Sequence, residues 1–223
     1  MAAVLFDFGG TLDADGRPWC DRFYDGYRAV GGRLPLVEFR EQFVHSDRLL
    51  ARQPGIGSFG FGRMVAAQVE LLQELLPDGP GLDAASWSAG FIRGTQQVVA
   101  RNRPVLEQLS GKFELGLVSN FTGNLLPCLE ELGLRSCFAV VFDSAVVGCR
   151  KPDARLFQAA FAALEQPAEC CWMVGDNPFT DIEPAARLGC ATCWLAPRER
   201  PLPAGVVPTR RIAEFSELPA VLA

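Results

Sequence analysis

Lysine and histidine are scarce in this chain. Of its 223 residues only Lys112 and Lys151 are lysines, and the other basic side chains are arginines. Any reaction that depends on a lysine must therefore use one of these two residues. His45 is the single histidine. It falls within a predicted helix, and we interpret it as a surface or packed side chain.

An excess of positive charge and a long apolar run are also missing. The formal net charge is −5, which provides no basic surface for nucleic acid. No apolar run is long enough to span a bilayer, and the apolar start is interrupted at Asp7, so we expect neither a membrane segment nor a signal peptide. The composition, 49% apolar and 21% charged, is typical of a globular enzyme. We expect a cytoplasmic protein of one domain or two small ones.

Cysteine is present, but its pattern does not indicate a disulfide framework. The eight cysteines are scattered through apolar segments, which favours reduced, buried thiols. Cys190 and Cys193 have the spacing of zinc ligands, and Cys170 and Cys171 could supply a second pair. Adjacent residues in a strand face opposite sides, however, and Cys190 and Cys193 lie where a buried strand is expected. We therefore favour core thiols over a zinc site.

The first thirteen residues read as a buried strand that opens into a tight turn. The apolar run 3–6 ends abruptly at Asp7, and Gly9 and Gly10 follow. A carboxylate at such a strand end points out of the sheet, where open α/β folds bind ligands. Backbone N–H groups at the glycines and the hydroxyl of Thr11 could approach a ligand closely. A simple capped strand end would explain Asp7 as well.

The next ninety residues show helical periodicity and no convincing strand. Apolar residues recur at three- and four-residue spacing over 19–30, 35–52, 59–76 and 84–100, with glycine- and proline-containing breaks between them. This pattern predicts a helical insert.

From residue 103 strands and helices alternate. A short helix is predicted over 104–109, and strands are predicted over 113–118, 138–142, 171–174 and 191–195. Helices are predicted over 122–132, 153–164 and 181–188, and the tail 211–222 reads as a short strand and a last helix. Such alternation predicts an α/β fold, with a doubly wound parallel sheet that carries helices on both faces.

Polar residues collect at the predicted ends of successive strands. Asp7, Ser119 and Asp176 each follow a strand, while Lys151 precedes a helix and Asp181 lies in one. Each position has a local explanation such as helix capping, but one shared site explains all of them together. Two carboxylates suit magnesium, and a hydroxyl and an ammonium suit phosphoryl oxygens.

The four stretches resemble the four motifs of the haloacid dehalogenase (HAD) superfamily. In order they are DFGGTL from Asp7, VSN around Ser119, RKPD around Lys151 and GDNPFTD from Gly175 to Asp181. The resemblance covers essentially the whole chain. It implies a Rossmann-like core formed by residues 1–13 and 103–223, and a helical cap of the family's first cap type formed by residues 14–102.

The resemblance also implies a mechanism and the roles of individual residues. Asp7 would be the nucleophile of an aspartyl-phosphate mechanism, assisted by Ser119 and Lys151. Mg²⁺ would be held by Asp7, Asp176 and the backbone carbonyl of Gly9, with Asp181 orienting Lys151 or a metal-bound water from behind. Three further residues are assigned to substrate binding: Gly10, Thr11 and Asn120.

Gly9 departs from the family pattern. Phosphatases of this family usually carry an aspartate two residues after the nucleophile, which acts as general acid and then as base. A glycine retains the backbone carbonyl for the metal but loses the proton shuttle, which is typically worth about 10²–10⁴-fold in rate. Asp13, Asp15 or a residue of the helical insert could supply the missing group, and the sequence leaves that choice open.

Three other functions can be weighed against a phosphatase. Phosphonoacetaldehyde hydrolases need a lysine in the cap, and the insert contains none. Haloacid dehalogenases carry tyrosine where Gly9 stands and work without magnesium, so Asp176 and Asp181 make this a distant alternative. A catalytically degraded module that binds a phosphate or nucleotide is the serious alternative. We predict a Mg²⁺-dependent phosphatase of a small phosphorylated metabolite, monomeric or homodimeric, with no nucleic-acid or membrane partner.

Overall fold

A six-stranded parallel sheet forms the centre of the computed structural model, which describes residues 2–222. The strand order is β3-β2-β1-β4-β5-β6. The strands are β1 (Ala3–Phe6), β2 (Glu114–Ser119), β3 (Val140–Asp143), β4 (Cys171–Gly175), β5 (Ala191–Leu195) and β6 (Arg210–Ile212). The predicted Rossmann-like parallel sheet is confirmed.

Strand β1 lies in the middle of the sheet and is buried on both faces. It pairs with β2 on one side and β4 on the other, so that Phe6 is in register with Leu117 and with Val174. The chain winds in one direction from β1 to β3 and in the other from β4 to β6. The order therefore reverses between β1 and β4, which is where open α/β sheets form a ligand-binding crevice.

Alternate residues of β1 enter two separate hydrophobic cores. Val4 and Phe6 pack in the larger core, which also contains side chains from the helices of the first half of the chain. Ala3 and Leu5 pack in the second core, with Leu156 and other residues of α7 (Ala154–Ala163). Because side chains alternate along a strand, this separation shows that protein covers both faces of the sheet.

Four long helices occupy the region between β1 and β2. They are α1 (Trp19–Ala29), α2 (Leu36–Leu50), α3 (Phe61–Leu75) and α4 (Ala84–Ser110), and within the described residues no strand interrupts them. Aromatic side chains hold α1, α2 and α4 together: the ring of Tyr27 lies 5.1 Å from that of Phe39 and 5.8 Å from that of Trp87. The predicted helical character of this region is confirmed.

The break predicted between helices 84–100 and 104–109 is wrong. Helix α4 continues from Ala84 to Ser110 and contains Pro104, a residue that removes one backbone donor and normally kinks or ends a helix. Leu106 and Leu109 are buried in the larger core beyond the proline, and their packing offsets the local penalty. The proposed division at residues 102 and 103 falls within this helix, and the two-domain assignment remains a prediction.

Shorter helices complete the second half. They are α5 (Leu125–Glu131), α6 (Ser144–Val147), α7, α8 (Glu183–Arg187) and α9 (Leu218–Val221), with a π-helical turn over Pro178–Ile182. Helix α5 starts three residues later than predicted, because Asp143 accepts hydrogen bonds from the backbone N–H groups of Gly123 and Leu125 and fixes the preceding loop. Helix α6 was not predicted from the sequence.

His45 is exposed on α2, in agreement with its surface interpretation. All eight cysteines are free thiols, and Cys190 and Cys193 are buried, with the Cys190 thiol near the Cys171 carbonyl at 3.0 Å. No helix within residues 2–222 has both the length and the apolar character needed to cross a membrane.

Candidate active site

The carboxyl ends of the three central strands bring the predicted residues together. Asp7 follows β1, Ser119 ends β2 and Asp176 follows β4. The backbone N–H of Asp7 donates to the Val174 carbonyl at 2.9 Å, which extends the pairing of β1 and β4 to the site itself. The parallel sheet therefore joins residues that are more than one hundred positions apart in the sequence.

Asp7 receives two hydrogen bonds on one carboxylate oxygen. The Ser119 hydroxyl donates to Oδ1 at 3.0 Å, and the Lys151 ammonium donates to the same oxygen at 2.7 Å. The Lys151 ammonium also donates to Oδ1 of Asp181 at 2.6 Å. Among the described residues no donor bonds to Oδ2 of Asp7, so that oxygen is available to a ligand.

The backbone of Lys151 is held by Asn120. The side-chain amide of Asn120 donates to the Lys151 carbonyl at 2.9 Å, and its oxygen accepts from the Lys151 N–H at 2.8 Å. Asp153 caps α7 directly afterwards by accepting from the N–H of Arg155. Both ends of the Asn120 amide are thus occupied, which gives this residue a positioning role that the sequence did not indicate.

Gly10 and Thr11 lie directly beside Asp176. The Thr11 hydroxyl is 3.4 Å from Oδ1 of Asp176 and is fully buried. Gly10 has a φ of +95°, and a Cβ atom at this position would lie 2.8 Å from the Asp176 carboxylate. A glycine is therefore required on both conformational and steric grounds. Gly9 lines the adjacent cavity. Gly10 and Thr11 are also described by the structure, but they do not line it.

The site holds more negative than positive charge. Burial alone would lower the pKa of Lys151, but the carboxylates of Asp181 and Asp7 outweigh it and raise that pKa, which keeps the ammonium protonated. Burial raises the pKa of Asp176 well above its usual value, and the nearby charges of Asp181 and Asp7 add to the effect. The protein alone therefore does not compensate the charge of Asp176.

The donor set fits a hard divalent cation. Carboxylate oxygens of Asp7, Asp176 and Asp181 lie within 4.8 Å of one another, and all three residues are buried. Such oxygens are the ligands that magnesium prefers, and a dication would neutralise the excess charge around Asp176.

Two of the candidates for the missing proton shuttle are engaged elsewhere. Asp13 is fully buried and accepts from the Gly10 N–H at 2.7 Å, the Trp19 indole N–H at 2.7 Å and the Arg22 guanidinium at 2.6 Å. Asp15 is paired with the Arg101 guanidinium. In the structure of residues 2–222, neither aspartate lines the cavity next to Asp7.

The cavity above Asp7 has a volume of about 600 Å³. Its lining includes Asp7, Ser119, Lys151, Asp176 and Asp181. Helices α1, α2 and α3 also contribute to its walls. Apolar side chains from these helices and from the loop after β2 face it: Trp19, Phe23, Phe43, Met64 and Phe121. Charged residues Asp47, Arg48 and Arg150 also line it and are largely exposed.

Sequence reasoning missed Gln68, a polar residue in the cavity wall. It lies on α3 among the buried positions Phe61, Met64, Val65 and Leu72, and it is only 3% exposed. A glutamine within the apolar stripe of an amphipathic helix is a signal that the sequence does carry. The sequence does not mark Asp47 and Arg48 as cavity-lining residues, because charged residues on a helix are ordinarily solvated.

Comparisons with known proteins agree with this architecture. A family model described as haloacid dehalogenase-like hydrolase matches residues 1–189. The pyrimidine 5'-nucleotidase YjjG of Escherichia coli is 32% identical over 120 residues, which is 53% of this chain and 53% of the relative. The ribulose-1,5-bisphosphate 5-phosphatase of Halopiger xanaduensis is 27% identical over 208 residues, 88% of this chain and 85% of the relative.

A similar fold occurs among solved structures. The crystal structure of a 2-haloacid dehalogenase from Pseudomonas syringae superposes with a TM-score of 0.59 at 26% identity, over 100% of this chain and 98% of the other. The chain spans about half the length of several curated relatives that it matches, including the nucleotidase at 53%.

Proposed function

The chain belongs to the haloacid dehalogenase-like hydrolases, and we propose that it is a magnesium-dependent phosphatase of a small phosphorylated metabolite. In this proposal Asp7 is the nucleophile. Ser119 and Lys151 stabilise the phosphoryl group, Mg²⁺ binds Asp7, Asp176 and the Gly9 carbonyl, and Asp181 holds Lys151.

The single observation that supports this proposal best is the arrangement around Asp7. One oxygen is fixed by Ser119 and Lys151, while Oδ2 has no donor among the described residues. A carboxylate held in this way is oriented for attack with one oxygen. The Lys151 ammonium is a compact positive charge 2.7 Å from the nucleophile, close to where phosphoryl oxygens would lie.

The reaction proceeds in two displacements. A carboxylate oxygen of Asp7 attacks phosphorus and the P–O bond to the leaving alcohol breaks. The alcohol oxygen departs with the electron pair of that bond. Water then attacks the aspartyl-phosphate, phosphate leaves, and the carboxylate of Asp7 is regenerated. When bound, Mg²⁺ supplies charge neutralisation for the phosphoryl oxygens. Lys151 and Ser119 hold the transferred group in place during both displacements.

Gly9 makes the two displacements unequal. The leaving oxygen needs a proton when its alcohol is a poor leaving group, and the attacking water must lose one in the second step. With Asp13 and Asp15 engaged by arginines, neither is placed to shuttle that proton. We therefore expect activated phosphate esters to phosphorylate the protein readily, with slow breakdown of the aspartyl-phosphate.

The retained acidic cluster and the relatives' names favour phosphate esters over haloacids. The relatives include a nucleotidase and a sugar bisphosphate phosphatase, and both of these act on phosphorylated small molecules. Asp176 and Asp181 supply the charge that a cation would neutralise. Residues 14–102 would act as a helical cap over the phosphate site.

The test is a panel of phosphorylated metabolites and activated aryl phosphates, assayed with and without magnesium. Release of phosphate that requires Mg²⁺ and disappears in Asp7→Asn supports the proposal. Phosphate release by Asp7→Asn at the wild-type rate, or halide release from haloacids without magnesium, would contradict it.

A second candidate function follows from the pairing of Asp13 and Asp15 with arginines. If no other residue transfers the proton in their place, the protein would bind a phosphate ester tightly and act as a regulatory module. Calorimetric binding of a phosphate ester in magnesium, with neither a burst nor turnover, would favour this second candidate.

A further inference from the structure

Trp19 and Phe121 form an aromatic wall beside the nucleophile. Both side chains line the cavity above Asp7, and both are only half-buried, so each keeps surface that a ligand can reach. Trp19 begins α1, and Phe121 follows Ser119 by two residues in the loop after β2. Their ring centroids are 5.7 Å apart. The aromatic wall therefore stands next to the strand ends that carry the catalytic residues.

The ring of Phe8 fixes the aromatic wall relative to Asp7. Phe8 directly follows Asp7 in the chain and is fully buried. Its ring packs edge-on against the ring of Trp19 at 6.1 Å and against that of Phe121 at 5.7 Å. Edge-on pairs of this kind are a preferred arrangement of aromatic side chains. Because the neighbour of the nucleophile contacts both rings, the wall and the nucleophile keep a fixed relation.

The Trp19 indole also occupies the place of the missing acid. Its N–H donates to the fully buried carboxylate of Asp13 at 2.7 Å, and a Cβ atom added to Gly9 would lie 3.1 Å from its Nε1. In family phosphatases the side chain at the position of Gly9 protonates the leaving oxygen. In this protein a group that leaves from the same place meets an aromatic ring instead of a carboxylic acid.

Among residues 2–222 no aromatic ring is stacked parallel to the Trp19 indole. Interplanar angles of 52° to 82° separate the indole from the five rings around it, which are those of Phe8, Phe23, Phe61, Phe91 and Phe121. A planar aryl group in the cavity would add an offset-stacked or edge-on contact to this cluster, and both arrangements are favourable.

The chemistry of a site without an acid selects the same kind of group. A leaving oxygen that receives no proton must depart as an anion. A phenolate does so far more readily than an alkoxide, because the pKa of a phenol is about 10 and that of a simple alcohol is close to the value of about 15.7 for water. The contacts of the wall and the missing proton donor therefore favour one class of leaving group.

We infer that Trp19 and Phe121 are specificity-determining residues that make this protein selective for aryl phosphates, the phosphate monoesters of phenols. An oxygen of Asp7 bonds to phosphorus while the P–O bond to the aryl group breaks. The phenolate oxygen keeps the electron pair and takes a proton from solvent water after it departs. Water then cleaves the aspartyl-phosphate in the second displacement. This inference rests on the proposed phosphatase function and specifies its substrate class.

The first experiment measures recognition of the ring without turnover. Benzylphosphonate has the shape of phenyl phosphate with a CH₂ group in place of the bridging oxygen, and cyclohexylmethylphosphonate has the same charge and a similar size without an aromatic ring. Calorimetry with the wild type in magnesium should give a Kd that is roughly 3–10-fold lower for benzylphosphonate, since one aromatic pair has about that value.

Substitutions in the wall should remove this preference. The ratio of the two Kd values should decrease in Trp19→Leu and in Phe121→Leu, and it should fall to about one when both changes are combined. Trp19→Phe retains an aromatic ring and should retain a preference for benzylphosphonate. Trp172→Leu is the matched control, because Trp172 on β4 is also half-buried and, in the described chain, lies outside the cavity wall. It should leave the ratio unchanged even if it lowers the melting temperature.

Tryptophan fluorescence gives a second measurement that needs no leucine variant. A nitro group quenches the fluorescence of an indole that it contacts, so para-nitrobenzylphosphonate should quench the wild type more strongly than Trp19→Phe. Equal quenching of the two proteins at saturation would place the ring of the ligand away from Trp19 and would overturn the inference.

The turnover experiment separates ring recognition from leaving-group acidity. Phenyl phosphate and hexafluoroisopropyl phosphate release alcohols of similar acidity, but only the first carries a ring. We expect kcat/KM of the wild type to be roughly 3–10-fold higher for phenyl phosphate, and the two values should become similar when both leucine changes are combined.

The outcomes for this inference and for the phosphatase proposal are distinct. A preference for benzylphosphonate that the leucine changes remove supports the inference, even if no ester is hydrolysed and the phosphatase proposal fails. Equal affinities of the wild type for the two phosphonates, or a preference that persists when both leucine changes are combined, would overturn it. Hydrolysis of both esters with equal kcat/KM would also overturn it and leave the phosphatase proposal intact.

Discussion

Trp19 lies directly over Gly9. A Cβ atom added to Gly9 would lie 3.1 Å from Nε1 and 3.2 Å from Cε2 of the Trp19 indole. The indole is itself fixed, because its N–H donates to Asp13 at 2.7 Å. The position that carries an acid in many family phosphatases is therefore covered by an aromatic ring in this protein.

Gly9→Asp should raise the steady-state rate on alkyl phosphates and reduce the burst. The backbone at Gly9 has φ −73° and ψ 115°, which any residue can adopt, so the obstacle is the indole and not the turn. We expect a gain of up to about 10²-fold, larger when Trp19→Phe is added to make room. Stopped-flow and steady-state assays with aryl and alkyl phosphates measure both phases.

Gly9→Asn is the control for this prediction, because it has the same size and cannot exchange a proton at neutral pH. An equal gain in Gly9→Asn and Gly9→Asp would mean that the side chain acts by packing. Rapid hydrolysis of alkyl phosphates by the wild type without a burst would mean that another residue already performs the proton transfer.

Asp176→Asn should remove the response to magnesium without destabilising the protein in its absence. Burial beside Asp181 and Asp7 raises the pKa of Asp176, so the charged form is unfavourable when no cation is bound. We expect the melting temperature of Asp176→Asn in chelator to equal or exceed that of the wild type. Magnesium should raise the melting temperature of the wild type only, through preferential binding to the folded state.

Asp25→Asn provides the comparison, since Asp25 is an exposed acid paired with Arg17 on the surface. It should retain the full magnesium response. The metal assignment would have to be abandoned if Asp176→Asn and Asp25→Asn gave the same increase in melting temperature with magnesium.

Lys151→Met should abolish activity and lower the free energy of unfolding by about 3–5 kcal/mol, because it leaves buried carboxylates unpaired. Lys151→Arg should not restore activity, because a planar guanidinium cannot replace an ammonium 2% exposed between Asp7 and Asp181. Lys112→Met, at the exposed second lysine, should match the wild type in both assays. Denaturant titration and phosphate release provide the measurements.

The pH dependence of this contact follows from the raised pKa of Lys151. Stabilisation by the ion pairs is fully present below about pH 10.5, the pKa of Lys151 in the unfolded chain. It is lost as the pH rises through the higher pKa that Lys151 has in the folded protein. Between pH 7 and roughly 10, stability should therefore not decrease through deprotonation of Lys151. A decrease in that range that Lys151→Met removes would contradict the assigned ion pairs.

Cys170 and Cys171 should differ sharply in reactivity although they are adjacent. Cys170 is exposed, whereas Cys171 is buried at the start of β4, and burial raises the pKa of its thiol to about 11. At pH 8 iodoacetamide should label Cys170 in the native protein and label Cys171 only after unfolding. Peptide mass spectrometry measures both rates, and equal labelling of the two thiols in the native state would show that the start of β4 is open.

The strands of the sheet and the polar residues at their ends could be predicted from the sequence. Ala3–Phe6 is continuously apolar and ends at Asp7, and similar patterns precede Ser119 and Asp176. Such signals are local, since a buried parallel strand needs apolar residues on both faces and its carboxyl end opens to solvent. The parallel sheet then brings the three side chains to one edge.

Other features could not be predicted, because they depend on segments far apart in the chain. The sequence predicted separate helices over 84–100 and 104–109, and only the burial of Leu106 and Leu109 in the core shows why α4 continues through Pro104. Asn120 reads as a ligand-binding residue in the sequence, and only its two hydrogen bonds to the backbone of Lys151 show that it positions that residue.

The sequence by itself determined which chemical groups this protein can use: the carboxylates, the one available lysine and the glycine in place of an acid. Only the tertiary structure decided how those groups are constrained. It pairs Asp13 with Arg22, covers Gly9 with Trp19 and, among residues 2–222, leaves Oε1 of Gln68 without a partner. The physical reason is that strand and turn patterns arise from neighbouring residues, whereas ion pairs, steric contacts and unpaired polar atoms arise from the packing of distant ones.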